Sequence, residues 1–497
     1  MAAPQIGKLR AGLNWLFLSP FGQLLVLAAF ALLMRASTFG HPAIHDDETF
    51  YFLVGQEMQK GALPYVDIWD RKPMGLFLIY YLIACISHSV LAYQLIATGF
   101  VVATALVIVL IAAETSSRWA GLLAGINYIA LLMLFQGWGG QAPIFYNLPI
   151  AVSALLIIKA APGLRTGTAD WRVDLAMALC GLAIIIKQTT IVESAFFGLF
   201  CAWTLFRTTG DKVIVARAAL RWMALGAAPM LAVSAFYFLR GHWAVYWHAM
   251  VVSNLSKQPA TTSSLLFRAI NDYLFLMPLL CVVVLALLLR SDGINVGKHR
   301  NFLVGWTIAA WGGFFIVPNL YFHYLLPVLV PLCIVSGQLF ARRDIGTIFA
   351  AILLMTTLLR YNFLSFSYTQ AAQQSMASLV RSIRTHDNGR DLFVPDGPLL
   401  LYSLSGKRPM SPLAFPLHLN YEYERNVSHI NTRAEVARIL AKRPGVIVTS
   451  AFPSNRPPNN ATRMLVWDYI FKNCHLVDVQ WSHEMGHTRA LMVYGDC

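Results

Sequence analysis

Apolar runs of bilayer-crossing length recur eleven times along this chain, and few folds can accommodate them. A crossing needs roughly 17–25 mostly apolar residues. The candidates are Phe21–Ala36, Tyr93–Ala113, Trp119–Phe135, Ala142–Ile158, Val173–Ile186 and Ile191–Phe206. They continue with Ala218–Leu239, Tyr273–Leu289, Phe302–Val317, Leu320–Phe340 and Ile345–Leu359, the shorter ones needing flanking residues to complete a crossing. Composition agrees, with 57% hydrophobic and only 12% charged residues and a mean hydropathy of +0.58. The expected fold is a polytopic α-helical membrane protein of about 11–13 transmembrane helices. A net charge of +14 would suggest nucleic acid in a soluble chain. Here the cations fall in short loops between apolar runs, which is the pattern of topology signals and not of a nucleic-acid face.

Those cations predict an orientation. Lys8 and Arg10 place the start of the chain inside, and Phe21–Ala36, lacking a small-x-small cleavage site, reads as a signal anchor. With eleven crossings the inside loops hold Arg118, then Arg165 and Arg172, then Arg207, Lys212 and Arg217. Further on they hold Arg290, Lys298 and Arg300, then Arg342 and Arg343. Met74–Ser89 breaks the agreement, since one more crossing there would reverse every later loop. It is expected to be a short or re-entrant helix on the outer side, unless an extra crossing restores the parity. The segments His45–Lys72, Gly137–Gln141, Arg240–Phe267 and everything after Arg360 are then extracytoplasmic.

The expected division is a membrane module over 1–363, with its first outer loop at 37–73, and an extracytoplasmic α/β domain over 364–497. Asp391–Pro395 reads as a strand before a turn at Asp396-Gly397, Asn431–Lys442 as a helix and Gly445–Ser450 as a strand. A helix at Thr462–Lys472 precedes alternating strands at Leu476–Trp481 and Arg489–Tyr494. Of the seven cysteines, Cys474 and Cys497 lie in this polar tail and can pair if it is extracytoplasmic. The others sit in apolar runs as packing residues.

Charge concentrates in one early loop, from His45 to Pro73. It holds Asp46, Asp47 and Glu48, then Asp67 and Asp70, then Arg71 and Lys72. A solvated acidic loop and two snorkelling cations are the plain explanation. Against it, the acids come shortly after a first apolar run and precede an amphipathic stretch (Phe50, Leu53, Val54, Met58), with Gly61-Ala62-Leu63-Pro64-Tyr65 turning the chain. A carboxylate partly desolvated near a membrane surface suits a general base. Pro73 suits the first turn of the next helix and holds Lys72 at its mouth, where a phosphate can bind.

The strings DDETFY, GALPYVDIWD and DRKPMG, in that order after a first span, resemble the GT-C glycosyltransferases. The nearest branch is the bacterial one related to protein O-mannosyltransferases and the lipid A aminoarabinose transferase. Tyr321-Phe322-His323-Tyr324-Leu325-Leu326-Pro327 is similar to that family's HY-x-x-P segment, and Gly181–Thr189 to its G-x₅-K pattern. The resemblance spans residues 20 to 345. It implies an inverting enzyme of the bacterial inner membrane that takes a sugar from a polyprenyl-phosphate donor. The acceptor it implies is a glycolipid such as lipopolysaccharide, a polysaccharide or a protein on the extracytoplasmic side. Asp47 matches the family's base, with Asp46 and Glu48 orienting it. Lys72, Arg71, Lys187 and His323 are the candidates for the donor phosphate, since only cations are needed for a good leaving group. Tyr51, Tyr65, Asp67, Asp70, Gln141, Asn147 and Tyr324 are candidates for substrate contact. Relatives place an acid at the turn before the fourth crossing, whereas this chain has Gly140–Asn147 without a carboxylate. Gln141 and Asn147 can hydrogen-bond a sugar there, and a divalent metal is neither required nor excluded.

Two other readings compete. His483-Glu484-Met485-Gly486-His487 is a literal HExxH, the zinc-protease signature. That chemistry needs both histidines on one face of a helix, but the flanks alternate like strands and Gly486 disfavours a helix. A transporter or flippase of an anionic or amphiphilic substrate would use Lys187 and Glu193 inside spans. It accounts less well for the acidic loop and the tail.

Overall fold

The structure is a computed structural model that describes residues 15–256, 261–289, 299–317, 319–342, 344–452, 457–484 and 487–497. Lys8, Arg10, Arg290, Lys298 and Arg343, used above for orientation, and Met485 and Gly486 lie outside the described residues. The chain divides into two compact units. The first comprises Met1–Ala36, Ile96–Ala232 and Pro259–Leu364, and the second Ser37–Leu95, Val233–Gln258 and Ser365–Cys497.

All eleven apolar runs meet a helix. The helices are Pro20–Arg35, Val90–Thr115, Arg118–Leu134, Ala142–Leu164, Trp171–Ile186 and Ile191–Thr209. Lys212–Leu239, Thr262–Leu288, Arg300–Phe315, Leu329–Phe340 and Gly346–Arg360 follow. Among the described residues, six helical stretches are long and apolar enough to cross a membrane by length and composition. Their ends are fixed by ordinary local chemistry. Ser19 accepts from Gly22 N at 3.0 Å with Pro20 at the first helical position, and Asp170 accepts from Arg172 N. Gly210, at φ +64°, ends Ile191–Thr209 in the left-handed conformation. Leu199, Leu288 and Leu359 are 70%, 71% and 79% exposed, as lipid-facing side chains would be.

Two segments depart from the sequence expectation. Leu320–Phe340 is helical only from Leu329, preceded by a 3₁₀ turn over Phe322–Leu325. Leu320 takes φ +43°, a left-handed conformation outside the helical range, so the helix cannot begin there. Thr262–Leu288 begins eleven residues before the expected Tyr273, which brings Arg268 and Asp272 into the helix. Arg35 is fully buried and serves no topology role: its guanidinium donates to Gly137 O at 2.5 Å and Gly139 O at 2.8 Å, pinning that turn.

The second unit contains a four-stranded sheet of order β1-β2-β4-β3, with β1 Leu392–Phe393, β2 Val446–Ser450, β3 His475–Glu484 and β4 His487–Gly495. β1 and β2 are parallel, and β4 runs antiparallel to both β2 and β3. All five β2 residues are buried. The helices Thr432–Ala441 and Asn460–Asn473 are capped by Asn431 and Asn459. Cys474 and Cys497 form a disulfide. The helix Phe366–Thr385, absent from the sequence reading, buries Thr369, Ala372, Met376, Leu379 and Ile383 on one stripe. The described residues of HExxH lie on adjacent antiparallel strands, with Glu484 paired to His487 and His483 to Thr488 across β3 and β4, which is not the helical zinc geometry.

The acidic loop is a folded part of this unit. Asp46–Gln59 is a helix whose first three residues are all acids, a placement the helix dipole favours. Trp69 N donates to Pro412 O at 2.8 Å, and Arg408 Nε donates to Glu57 Oε2 at 2.6 Å. Met74–Ile86 is a 13-residue helix, about 20 Å long at 1.5 Å per residue, well under the ~30 Å of a bilayer core. It lies parallel to Asp46–Gln59, since Lys72 before its start reaches Tyr51 at 2.8 Å and His88 after its end reaches Gln59 at 2.6 Å. Gly55 makes the approach possible, because a Cβ there would lie 2.5 Å from Tyr80 O. Gly55→Val should therefore cost about 1–3 kcal/mol through overpacking, read as a lower thermal midpoint of the detergent-purified protein; an unchanged midpoint would refute the close contact.

Candidate functional site

Three consecutive helical residues point about 100° apart, so Asp46, Asp47 and Glu48 enter three environments. Glu48 is buried. Asp46 faces a small cavity lined by Asp396, Asn420, Tyr421 and Arg489. Asp47 turns the third way, its N–H donating to His45 Nδ1 at 3.2 Å. Tyr51 follows four residues later and so shares the face of Asp47. Lys72 arrives on that face. Its ammonium lies 3.5 Å from Asp47 Oδ2 and donates to Tyr51 Oη at 2.8 Å, sitting 5.1 Å from the ring centre. Lys72 and Asp47 are each 17% exposed.

The segment from Gly61 to Pro73 is shaped to deliver that lysine. Gly61 takes φ +88° and Tyr65 φ +68°, the latter an uncommon conformation for a bulky residue. Tyr65 is wholly buried against Tyr237 and Tyr246, with ring centres at 5.2 and 5.6 Å, and its hydroxyl donates to Lys72 O at 2.9 Å. Asp67 accepts from Leu63 N at 2.7 Å and closes the turn. Asp70 Oδ1 accepts from Lys72 N at 2.9 Å. Tyr65, Asp67 and Asp70 thus support the position of Lys72. Arg71 turns to a different partner, Glu424.

Beneath Lys72 is a buried charge cluster that the sequence did not reveal. His418 Nε2 lies 3.6 Å from Asp70 Oδ2 and His418 Nδ1 3.5 Å from Glu424 Oε2. Burial pushes the Asp70 carboxyl up, but Lys72, His418 and Arg71 together outweigh it and hold the group below the usual carboxylate range. Burial pushes the His418 imidazole down, against the pull of Asp70. Near Asp46, Arg489 reaches Asp396 Oδ1 at 2.5 Å and Glu484 Oε1 at 2.8 Å. No spacing rule links residues 70 and 418, so only the fold brings them together.

In the first unit, Gln141 caps the helix Ala142–Leu164 and is buried. Asn147 Nδ2 donates to Tyr128 Oη at 3.3 Å and Leu326 O at 3.2 Å. Lys187 ends the helix Trp171–Ile186 and lies 5.3 Å from the Tyr324 ring. His323 stacks on Tyr321, with centres 5.8 Å apart, and meets Tyr324 edge-on at 4.6 Å. Arg268, missed in the sequence because its helix starts earlier than hydropathy suggests, lies 4.4 Å from the Tyr321 ring and donates to Asn319 O at 2.7 Å. Two cations and an imidazole thereby gather on two tyrosines of one turn. Among the described residues, no group of three or more His, Cys, Asp or Glu side chains could hold a metal ion.

Comparison with solved structures is informative at the level of fold. ArnT of Cupriavidus metallidurans bound to undecaprenyl phosphate matches with a TM-score of 0.58 at 13% identity, over 95% of this chain and 98% of that one. The chain has the GT-C glycosyltransferase fold. The apo form of that ArnT matches at 0.55 and 12% identity over the same shares. An Archaeoglobus fulgidus oligosaccharyltransferase tethered to an acceptor peptide matches at 0.51 and 11% identity, over 97% of this chain and 74% of that one. No family model matches the chain, and no curated protein does.

The buried histidine makes the chain acid-sensitive in a defined window. With its folded pKa below the unfolded value of about 6.5, His418 resists the proton that the unfolded chain accepts. Stability is therefore full above pH ~6.5 and falls below it, by up to about 1.4 kcal/mol per pH unit for one proton; Asp70 adds the same sign below pH ~4. His418→Gln should flatten the decline of the thermal midpoint between pH 6.5 and 5; an undiminished slope would remove His418 from the account.

Proposed function

We propose that this protein is an inverting glycosyltransferase using a polyprenyl-phosphate-linked sugar. The observation that carries the reading is the meeting of Asp47 and Lys72 on Tyr51. A carboxylate to take the acceptor proton and an ammonium to meet the leaving phosphate are the two groups this transfer requires. Asp47 takes the proton of the acceptor hydroxyl as its oxygen attacks the anomeric carbon from the face opposite the phosphate. The bond from that carbon to the phosphate oxygen breaks, and its electron pair leaves with the polyprenyl phosphate, whose charge Lys72 stabilises. In the unliganded protein the two groups neutralise one another. A phosphate at Lys72 competes for the ammonium and leaves the carboxylate to accept the proton, which couples donor binding to base activity.

For the first unit, the same reading assigns Lys187, His323 and Arg268 to an anionic substrate group, with Tyr324 holding Lys187. Gln141 and Asn147 are the proposed sugar contacts there. Asp46 and Glu48 are assigned to orienting the base. The GT-C fold supports the reaction class, and the undecaprenyl phosphate bound by the similar ArnT supports the donor class. The proposed setting is the bacterial inner membrane with Asp47 on the extracytoplasmic side, and the Cys474–Cys497 disulfide favours such an oxidising compartment. The acceptor is proposed to be a cell-envelope glycolipid, a polysaccharide or a protein.

Asp47→Asn should reduce transfer of labelled sugar from polyprenyl phosphate about 10²–10⁴-fold in a protein that still purifies as a folded species. Unimpaired transfer by that variant would refute the base assignment. Lys72→Met should lose about 10²–10³-fold by removing the cation. Mass analysis of envelope glycolipids and glycoproteins, with and without the protein, would identify the acceptor; no change in either class would count against the transferase reading.

A further inference from the structure

The second unit holds a cleft of about 890 Å³ that none of the proposed catalytic residues lines. One wall is the helix Phe366–Thr385, which presents Gln373, Ala377, Val380, Arg381 and Arg384 at intervals of three and four residues. The opposite wall is the turn at His88 and Ser89 with Val90 and Leu91, and Leu400 and Leu404 line it further along. The cleft thus has an apolar interior and a basic edge, and no carboxylate lies among its described lining residues. Arg384 donates to Leu404 O at 2.6 Å, which fixes that guanidinium beside the cleft. Arg381, one helical turn earlier, is exposed and has no ion pair among the described residues.

The position of the cleft matters as much as its charge. Val90 is the first residue of Val90–Thr115, a 26-residue helix of hydropathy 2.8 and the most apolar of the candidate spans. The start of a span is the depth at which lipid headgroups lie. Ile86 and Leu91, on either side of the His88 turn, are exposed apolar side chains at that same level. Basic pockets beside membrane helices attract phosphate headgroups, while an apolar interior accepts acyl chain.

We propose that this cleft binds an anionic membrane lipid. Its phosphate sits at Arg381 and Arg384, and part of an acyl chain runs over Ala377, Val380 and Leu404. The proposal stands apart from the transferase reading, since it assigns the cleft no part in sugar transfer.

The test is native mass spectrometry of the full-length protein in neutral detergent, titrated with phosphatidylglycerol or with phosphatidylcholine of the same chains. Wild type should retain the first phosphatidylglycerol at least tenfold more tightly than phosphatidylcholine. Arg381→Gln combined with Arg384→Gln should bring the two lipids to equal retention. Ala377→Trp, which keeps both arginines and fills the interior, should weaken retention of phosphatidylglycerol at least fivefold, and it guards against misfolding caused by loss of the Arg384 bond. Inorganic phosphate at millimolar concentration should not displace the lipid. Equal retention of both lipids by wild type, or unchanged preference in the double variant, would overturn the proposal. Full retention by Ala377→Trp, or displacement by inorganic phosphate, would mean an anion site without an acyl seat and would overturn it equally.

Discussion

The candidate site of the second unit depends on one contact, the seat of Lys72 on Tyr51 beside Asp47. Two residues four apart on a helix share a face, so the carboxylate and the phenol receive the same ammonium. The neighbouring acids are carried to other faces by the helical rotation. What reads in the sequence as one acidic cluster is in space three separate acids. The loop that delivers Lys72 has a comparable economy. Tyr65 and Asp70 bind the backbone of Lys72, leaving its side chain directed to the helix.

Such a loop cannot be stable as an isolated excursion from a membrane helix. Asp70, Arg71 and Glu57 are all nearly buried, and buried charges need partners. Partners come from the distant tail: His418 for Asp70, Glu424 for Arg71, and Arg408 for Glu57, which also pairs locally with Lys60. The tail is accordingly part of the structure that holds Lys72, and the compact unit joins the two segments across more than 300 residues of chain. A packing constraint works alongside the charges. Gly55 lets Met74–Ile86 lie against the backbone of Asp46–Gln59, and the lysine before that helix comes with it.

Elements with a strong period were legible in the sequence. All eleven apolar runs meet helices, and the α/β tail reads in order from its alternating and helical patterns. The errors lie where hydropathy is a poor guide to backbone conformation. Arg268 and Asp272 precede the apolar run yet are helical, because polar residues continue a helix readily. Leu320–Phe340 is mostly apolar but opens on a turn, with Leu320 in a left-handed conformation and a 3₁₀ turn before the helix starts at Leu329. The helix Phe366–Thr385 is polar enough on one face to pass for a linker, although its buried stripe is regular. HExxH shows the reverse failure, a motif whose letters match while its two histidines lie on adjacent antiparallel strands and not on one helix.

The sequence by itself determined the membrane class, the helical nature of the apolar runs, the α/β character of the tail and the residue types at the candidate site. These follow from local properties: the length of apolar runs, their period and the short range of turn and cap chemistry. Tertiary structure alone decided which charges meet. The pairing of Asp47 with Lys72 spans 25 positions and that of Asp70 with His418 nearly 350, and no local rule sets either. Folding selects the second because a buried charge without a partner is costly, and His418 in the tail satisfies that requirement.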